Sequence, residues 1–171
     1  VYPTRFSSDI AYVRDVDLLV EIPLRQEEYA SVFQAASEAM GGMMEKYPDV
    51  RWRVALTDRS ASSESSPAHD YVANPVDHSY VVDMLQASCP SECEFVDLAA
   101  SDFDEWQEWY LRSDHHWRVQ GAYEAYCRVC DSYGLDPVEV EYTRLFDGPF
   151  YGALVRKGLD NNVYDYIDGY T

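Results

Sequence analysis

Read for apolar and polar positions, the chain divides into strands and helices in alternation. Val16 to Ile22 is dense in Leu and β-branched residues and stops at Pro23, which predicts a strand. Gln26 to Tyr47 follows as an amphipathic helix with Tyr29, Val32, Phe33, Ala36, Met40, Met43, Met44 and Tyr47 on its apolar stripe. Gly41-Gly42 interrupts that helix at a cost of about 1 kcal/mol per Gly relative to Ala, and Pro48 ends it. The Met and Gly positions read as packing, not as a cofactor box. Arg51 to Thr57 predicts a second strand. Pro75 to Ser88 predicts a helix with Tyr80, Val81, Met84 and Leu85 facing in, and Glu94 to Leu98 a third strand. Asp102 to Tyr110 reads as a short helix capped by Ser101 or Asp102, with acidic residues in its first turn. Val119 to Tyr133 is the last helix, closed by Gly134.

Three stretches carry no such pattern: the first fourteen residues, Asp58 to Val76, and Val138 to Thr171. The middle one is rich in Ser, Ala and Pro, and its length inside a compact domain marks a functional or disordered loop. Strands alternating with helices argue for an α/β sandwich around a mostly parallel sheet. At 171 residues the chain is one domain or a large piece of one. Beginning at Val1, it reads as processed or cut from a longer parent.

Composition narrows the function by exclusion. A hydrophobic share of 47% with a mean hydropathy of −0.40 describes an ordinary globular chain. No run approaches the ~18 apolar residues of a membrane span, so no direct membrane insertion is expected. Lys and Arg number 13 against 31 Asp and Glu, a net charge of −18. A field of that sign repels phosphate backbones, so nucleic acid is excluded as a partner and anionic lipid is disfavoured. The cysteines fall as Cys89-x3-Cys93 and Cys127-x2-Cys130. Such spacing allows a zinc reading. Cys127 and Cys130, however, lie on the predicted inner face of the last helix with Val119, Ala122, Tyr123, Tyr126 and Tyr133, as small core residues would. Cys89 and Cys93 flank Pro90 in a loop, where a local disulfide is the competing reading.

One segment concentrates reactive side chains: Arg112-Ser113-Asp114-His115-His116-Trp117, between two predicted helices. In an extended segment residues i and i+2 point the same way. Asp114 could then accept from one imidazole nitrogen of His116, fix its tautomer, and leave the other nitrogen to take a proton from Ser or water. His115 would point away. Competing readings are a packing role, with Asp114 as a cap and the histidines against Trp109 and Trp117, and a metal site of Asp114, His115 and His116. Against the metal, adjacent histidines rarely converge on one ion without further ligands. The Asp-His-His string of the DHH phosphoesterases should follow an apolar strand and earlier Asp-rich motifs; here it follows Glu108-Trp109-Tyr110-Leu111-Arg112.

The flanks are more specific. Tyr110-Leu-Arg-Ser-Asp114-His115-His116-Trp117, followed by Gly121-Ala122-Tyr123 and Ala125-Tyr126, resembles the signature of the DHHW family of bacterial SGNH-hydrolase-like proteins. Phe150-Tyr151-Gly152-Ala153-Leu154, with Lys157 and Gly158, is similar to a second family segment. Tyr47-Pro48-Asp49-Val50 and the strand ending at Leu56-Thr57 match the family's order, so the resemblance runs from Asp17 to Gly158 and is specific around Asp114 to Tyr126. It implies a three-layer SGNH-hydrolase-like sandwich with a mostly parallel central sheet, incomplete in this chain, which would form a single domain or its N-terminal portion. Through the related alginate O-acetylation proteins it also implies acyl transfer or ester hydrolysis on cell-surface or secreted polysaccharide. Asp114 and His116 match the motif's catalytic positions, and His115, Trp117, Arg112, Tyr110 and Tyr151 are candidate site-lining residues.

The nucleophile is missing. The family's Ser lies in a Lys-Asp-Ser or Gly-Asp-Ser context after the Asp-His-His-Trp motif. Here Ser132 sits at a helix end and no Ser occurs between Tyr133 and Thr171, while the Ser60 to Ser66 stretch lacks that context. Either the chain is a piece of a longer parent that supplies the Ser, or this member has lost the nucleophile. The expectation is the former, inactive as given, located outside the cytoplasm and working with a polysaccharide or acyl-ester substrate and a membrane-bound acyl donor, without cofactor or metal. The alternative is a non-catalytic carbohydrate-binding or scaffold domain, to which the 15% of aromatic residues would lend sugar-stacking surfaces.

Overall fold

The computed structural model describes residues 4–5, 9–158 and 162–170. It begins with a three-stranded antiparallel sheet: β1 (Thr4–Arg5), β2 (Ile10–Val13) and β3 (Leu18–Glu21). β2 and β3 pair from Ile10↔Glu21 to Val13↔Leu18. The turn between them is a 3-10 helix, Arg14–Val16, that ends at Asp17 with φ 50°. The expected strand is therefore shorter at both ends, and Thr4–Arg5 and Ile10–Val13 of the expected irregular lead-in belong to the sheet.

Alternation along this sheet builds the core. Ala11, Val13, Leu18 and Val20 pack with Ala68, Ala100, Trp106, Trp109 and Tyr110. Ile10 and Leu19, on the opposite face, pack with Leu154, Val155 and Val163. A strand buried on both faces loses the hydrophobic-polar alternation that marks a half-exposed one, hence the unbroken Leu18-Leu19-Val20. Each buried Trp removes ~150–250 Å² from water, so Trp106 and Trp109, both about 2% exposed or less, anchor the larger cluster.

α1 (Gln26–Lys46) leads to β4 (Arg53–Leu56), which pairs in parallel with β5 (Glu94–Asp97) across α2 (His78–Ser88). Among the described residues this is the one parallel pair. The buried residues of α1 are Ser37, Gly41 and Met44, whereas Val32, Met43 and Tyr47 of the expected stripe are exposed. The reason is the approach of α2. A Cβ on Gly41 would overlap the Ser88 carbonyl, and Ser37 Oγ donates to the Met84 carbonyl at 2.7 Å. Small residues set the contact.

α3 (Phe103–Trp109) starts as its sequence dictates: Asp102 accepts from the Glu105 N–H at 2.9 Å, and Glu105 reaches back to the Ser101 N–H at 2.6 Å. In α4 (Val119–Ser132) the buried residues are Gly121, Ala125 and Cys130. Tyr126 and Tyr133 of the expected inner face are exposed. A Cβ on Gly121 would come within 2.8 Å of the Trp109 Cβ, so α4 meets α3 through its smallest residues. Gly134 stands at φ 65°, the left-handed helix end its position predicted. All four cysteines are free thiols, Cys130 buried.

In the two remaining unpatterned stretches the described residues are structured. Residues 58–76 fold as turns around a 3-10 helix at His69–Tyr71, with Ser60, Ala61, Ser63, Ser66 and Ala68 buried. The loop caps the core: Trp106 Nε1 donates to the Ser60 carbonyl at 3.2 Å, and Ser65 Oγ to the Ala100 carbonyl at 3.0 Å. The tail forms β6 (Tyr142–Phe150), α5 (Ala153–Gly158) and β7 (Asp165–Tyr170), with β6 and β7 antiparallel. β6 is almost wholly exposed, which explains why no hydrophobic pattern announced it.

Candidate active site

Tyr110 to Trp117 forms a loop between α3 and α4 whose ends pair as an antiparallel bridge, reinforced by the Leu111 N–H donating to the His116 carbonyl at 3.1 Å. The loop is held from below by one residue that no sequence signal marked. Asp165, at the start of β7, has a fully buried carboxylate. Its Oδ1 accepts from the Arg112 N–H at 2.9 Å and from Arg118 Nη2 at 3.1 Å. Its Oδ2 accepts from the Ser113 N–H at 2.8 Å and Oγ at 2.6 Å. A buried carboxylate with four donors is compensated for its lost hydration, and it fixes the backbone immediately before Asp114.

Asp114 is 4% exposed. Its Oδ1 accepts from His116 Nδ1 at 2.6 Å and from the His116 N–H at 3.2 Å. Its Oδ2 accepts from the Ala153 N–H, the first residue of α5, at 2.6 Å. The segment bends through the histidines instead of running extended, so the side chain meets the imidazole through a local turn. Burial pushes the Asp114 carboxyl upward, but these donors and the nearby His115 outweigh it and hold the group below the usual carboxylate range. An ionised carboxylate only accepts, so Nδ1 of His116 is the donor and, in a neutral ring, Nε2 is the nitrogen with the lone pair. The His116 side chain is 71% exposed. A buried carboxylate thus lies below an accessible imidazole and is hydrogen-bonded to it.

His115 does not point away. Its ring lies 4.2 Å from that of His116, centroid to centroid, and its Nδ1 is 3.6 Å from Asp114 Oδ1. That nitrogen is buried without a hydrogen-bond partner. Trp117 packs edge-on against Trp109 and Tyr110, at 5.6 and 6.4 Å. The Tyr110 hydroxyl donates to the Asp58 carboxylate and carbonyl. Arg112 donates from Nε and Nη2 to the Asp17 carbonyl at 2.9 and 2.7 Å, and to the Asp17 carboxylate. The polar groups of Tyr110 and Arg112 are thus spent on the fold. Tyr151 is 40% exposed and meets Tyr164 edge-on at 6.2 Å.

The Phe150 to Leu154 segment docks directly on the loop. The Gly152 N–H donates to Ser113 Oγ at 3.1 Å and the Leu154 N–H to the Ser113 carbonyl at 3.1 Å. The two segments on which the family resemblance rests are parts of one site.

The described residues fold as a mixed α/β arrangement of five α-helices and short sheets. Solved structures share it. Residue for residue, 99% of the chain superposes on 56% of a DHHW family protein from Eubacterium siraeum DSM 15702, with a TM-score of 0.71 and 16% identity. PatB1 of Bacillus cereus matches 90% of the chain over 56% of its own length, with a TM-score of 0.63 and 14% identity. The same protein with a sulfonyl adduct gives a TM-score of 0.65 at 14% identity, over 98% of the chain and 58% of its own. The chain thus spans little more than half the length of these structures. No family model and no curated protein matches the sequence. The likeness to the DHHW family protein and to PatB1 is one of fold.

Proposed function

We propose that this chain carries the Asp–His half of an SGNH-type acyl-transfer or ester-hydrolysis domain, and that the nucleophilic Ser belongs to a part of the parent protein outside residues 1–171. In this reading the β1–β3 sheet and the β4–β5 pair belong to a three-layer sandwich whose parallel sheet the remainder of the protein extends. The observation that carries it is the 2.6 Å bond from His116 Nδ1 to the buried Asp114. His116 Nε2 takes the Ser hydroxyl proton as the Ser oxygen attacks the acyl carbonyl. Asp114 stabilises the imidazolium, and the proton passes to the leaving oxygen. The substrate is an acylated cell-surface or secreted polysaccharide outside the cytoplasm, with acyl groups delivered by a membrane-bound partner; no described helix of this chain is long and apolar enough to cross a membrane.

Support comes also from the sulfonyl adduct of PatB1, since sulfonylation consumes an activated nucleophile. The corresponding experiment treats the full-length protein with a sulfonyl fluoride. A Ser–O–sulfonyl bond forms as fluoride leaves, and the hydroxyl proton goes to His116. Mass spectrometry should find one adduct on a Ser beyond Thr171 and a greatly slowed reaction in His116→Ala. An unchanged labelling rate in that variant would remove His116 as the base.

A second reading is favoured by one surface. Tyr151, Tyr164 and Tyr166 are all partly exposed and form a chain of edge-on rings at 6.2 and 5.6 Å. Such rings suit sugar stacking in a non-catalytic carbohydrate-binding domain. Polysaccharide binding without ester hydrolysis by the full-length protein would favour it.

A further inference from the structure

We infer that Asp114, His115 and His116 form a binding site for a late first-row divalent cation such as Zn²⁺, and that its occupancy switches off the base. The second half rests on the function proposed above; the first rests on the three side chains alone. Each offers one ligand atom, and these atoms lie within 4.8 Å of one another, the one such group among the described residues. The reason for disfavouring a metal here, that neighbouring histidines rarely converge, does not hold in this loop. Its bend brings both rings to the same carboxylate.

The second observation is the buried His115 Nδ1, which has no hydrogen-bond partner and stands 3.6 Å from Asp114 Oδ1. Leaving a buried polar nitrogen unpaired costs free energy, and a cation that accepts its lone pair removes the cost. Ligand atoms on one tetrahedral zinc sit about 3.3 Å apart for bonds near 2.0–2.1 Å. The ligand atoms, now within 4.8 Å of one another, would have to draw together to that spacing on binding. Two imidazoles and a carboxylate suit Zn²⁺, Cu²⁺ or Ni²⁺ and not Mg²⁺ or Ca²⁺. The Ala153 N–H on Asp114 Oδ2 supplies the outer support that orients a ligating carboxylate.

Inhibition follows from proton bookkeeping on one ring. Without metal, His116 carries its proton on Nδ1 and a lone pair on Nε2. If the cation takes Nδ1, the proton moves to Nε2; if it takes Nε2, the lone pair goes to the metal. Either way no lone pair remains for the Ser proton.

The test is calorimetric titration of the EDTA-stripped full-length protein with Zn²⁺, in a Cys89→Ser/Cys93→Ser background so that the thiols do not compete. A single micromolar site is expected, weakened by about 10-fold or more in His115→Ala and in His116→Ala, both verified as folded by circular dichroism. Independently of any variant, substoichiometric Zn²⁺ should shift the ring resonances of His115 and His116 before those of His69 and His78. Absence of binding, equal affinity in both variants, or first shifts at His69 and His78 would overturn the site. Ester hydrolysis measured first with EDTA and then, without it, with added Zn²⁺ separates the two claims. Binding with hydrolysis that Zn²⁺ leaves unchanged overturns the switch alone, and metal-free hydrolysis that survives His116→Ala overturns the proposed base while leaving the site standing.

Discussion

Gly152 lies so close to Asp114 that a Cβ on it would overlap the Asp114 Cβ and the Ser113 carbonyl and come within 2.7 Å of Asp114 Oδ2. The small residue of the Phe-Tyr-Gly segment is what lets the α5 N-terminus reach the carboxylate. Gly152→Ala should therefore push the two segments apart and lengthen the Ala153 N–H bond. Overpacking of this kind costs roughly 1–3 kcal/mol. Chemical denaturation of the variant should show that loss, and a midpoint equal to wild type would contradict the contact.

Asp165 is the residue on which the loop depends most. Replacing it by Ala strands the Arg112 and Ser113 N–H groups, the Ser113 hydroxyl and one arm of Arg118. Removing one partner of a buried charged network costs about 3–5 kcal/mol. Thermal unfolding of Asp165→Ala should report a loss of that size, larger than for Asp168→Ala on the exposed side of the same strand.

Asp58 behaves differently. Burial pushes its carboxyl above the usual range, although the Tyr110 and Ser63 hydroxyls and the charge of His78 pull it down. An acid with a raised folded pKa contributes stability that is fully present below its unfolded value and declines as pH rises through the folded one. Asp58→Asn keeps an acceptor for Tyr110 and removes the charge. Its stability at pH 7 should lie within about 1 kcal/mol of wild type and should fall less between pH 4 and pH 7. A steeper fall in the variant would contradict this account.

The helices α1, α3 and α4, the α3 cap, the Gly134 terminus and the Asp114–His116 pair were legible because each is a local matter of spacing and capping. The faces of α1 and α4 were not. There the contact is made by Gly41 against Ser88 and Gly121 against Trp109, and small residues carry no hydrophobic signal. Asp165 was invisible for another reason: it serves Ser113, 52 residues earlier in sequence, and nothing local distinguishes it from other acidic residues of the tail. β6 faces water along most of its length, so its pairing with β7, not a burial pattern, defines it. His115 turned inward because the loop bends where an extended strand had been assumed.

The Asp114 carboxyl carries the opposite linkage to Asp58. Its pKa is held below the usual range despite burial, so its stabilisation is present above the unfolded carboxylate value and is lost as pH falls through the lower folded one. Asp114→Asn should flatten the acid limb of the stability curve below about pH 4. An acid limb identical to wild type would show that the carboxylate is not held by its donors.

The most direct measurement is ester hydrolysis of a small acetyl ester by the full-length protein, comparing wild type with Asp114→Asn and His116→Ala in EDTA. An oriented general base contributes roughly 10²–10⁴-fold. Both variants should lose activity in that range while remaining folded, and their double variant should lose little more than either alone, since carboxylate and imidazole act as one unit. Wild-type hydrolysis that persists in both variants would contradict the assignment of Asp114 and His116 as the working half of the site.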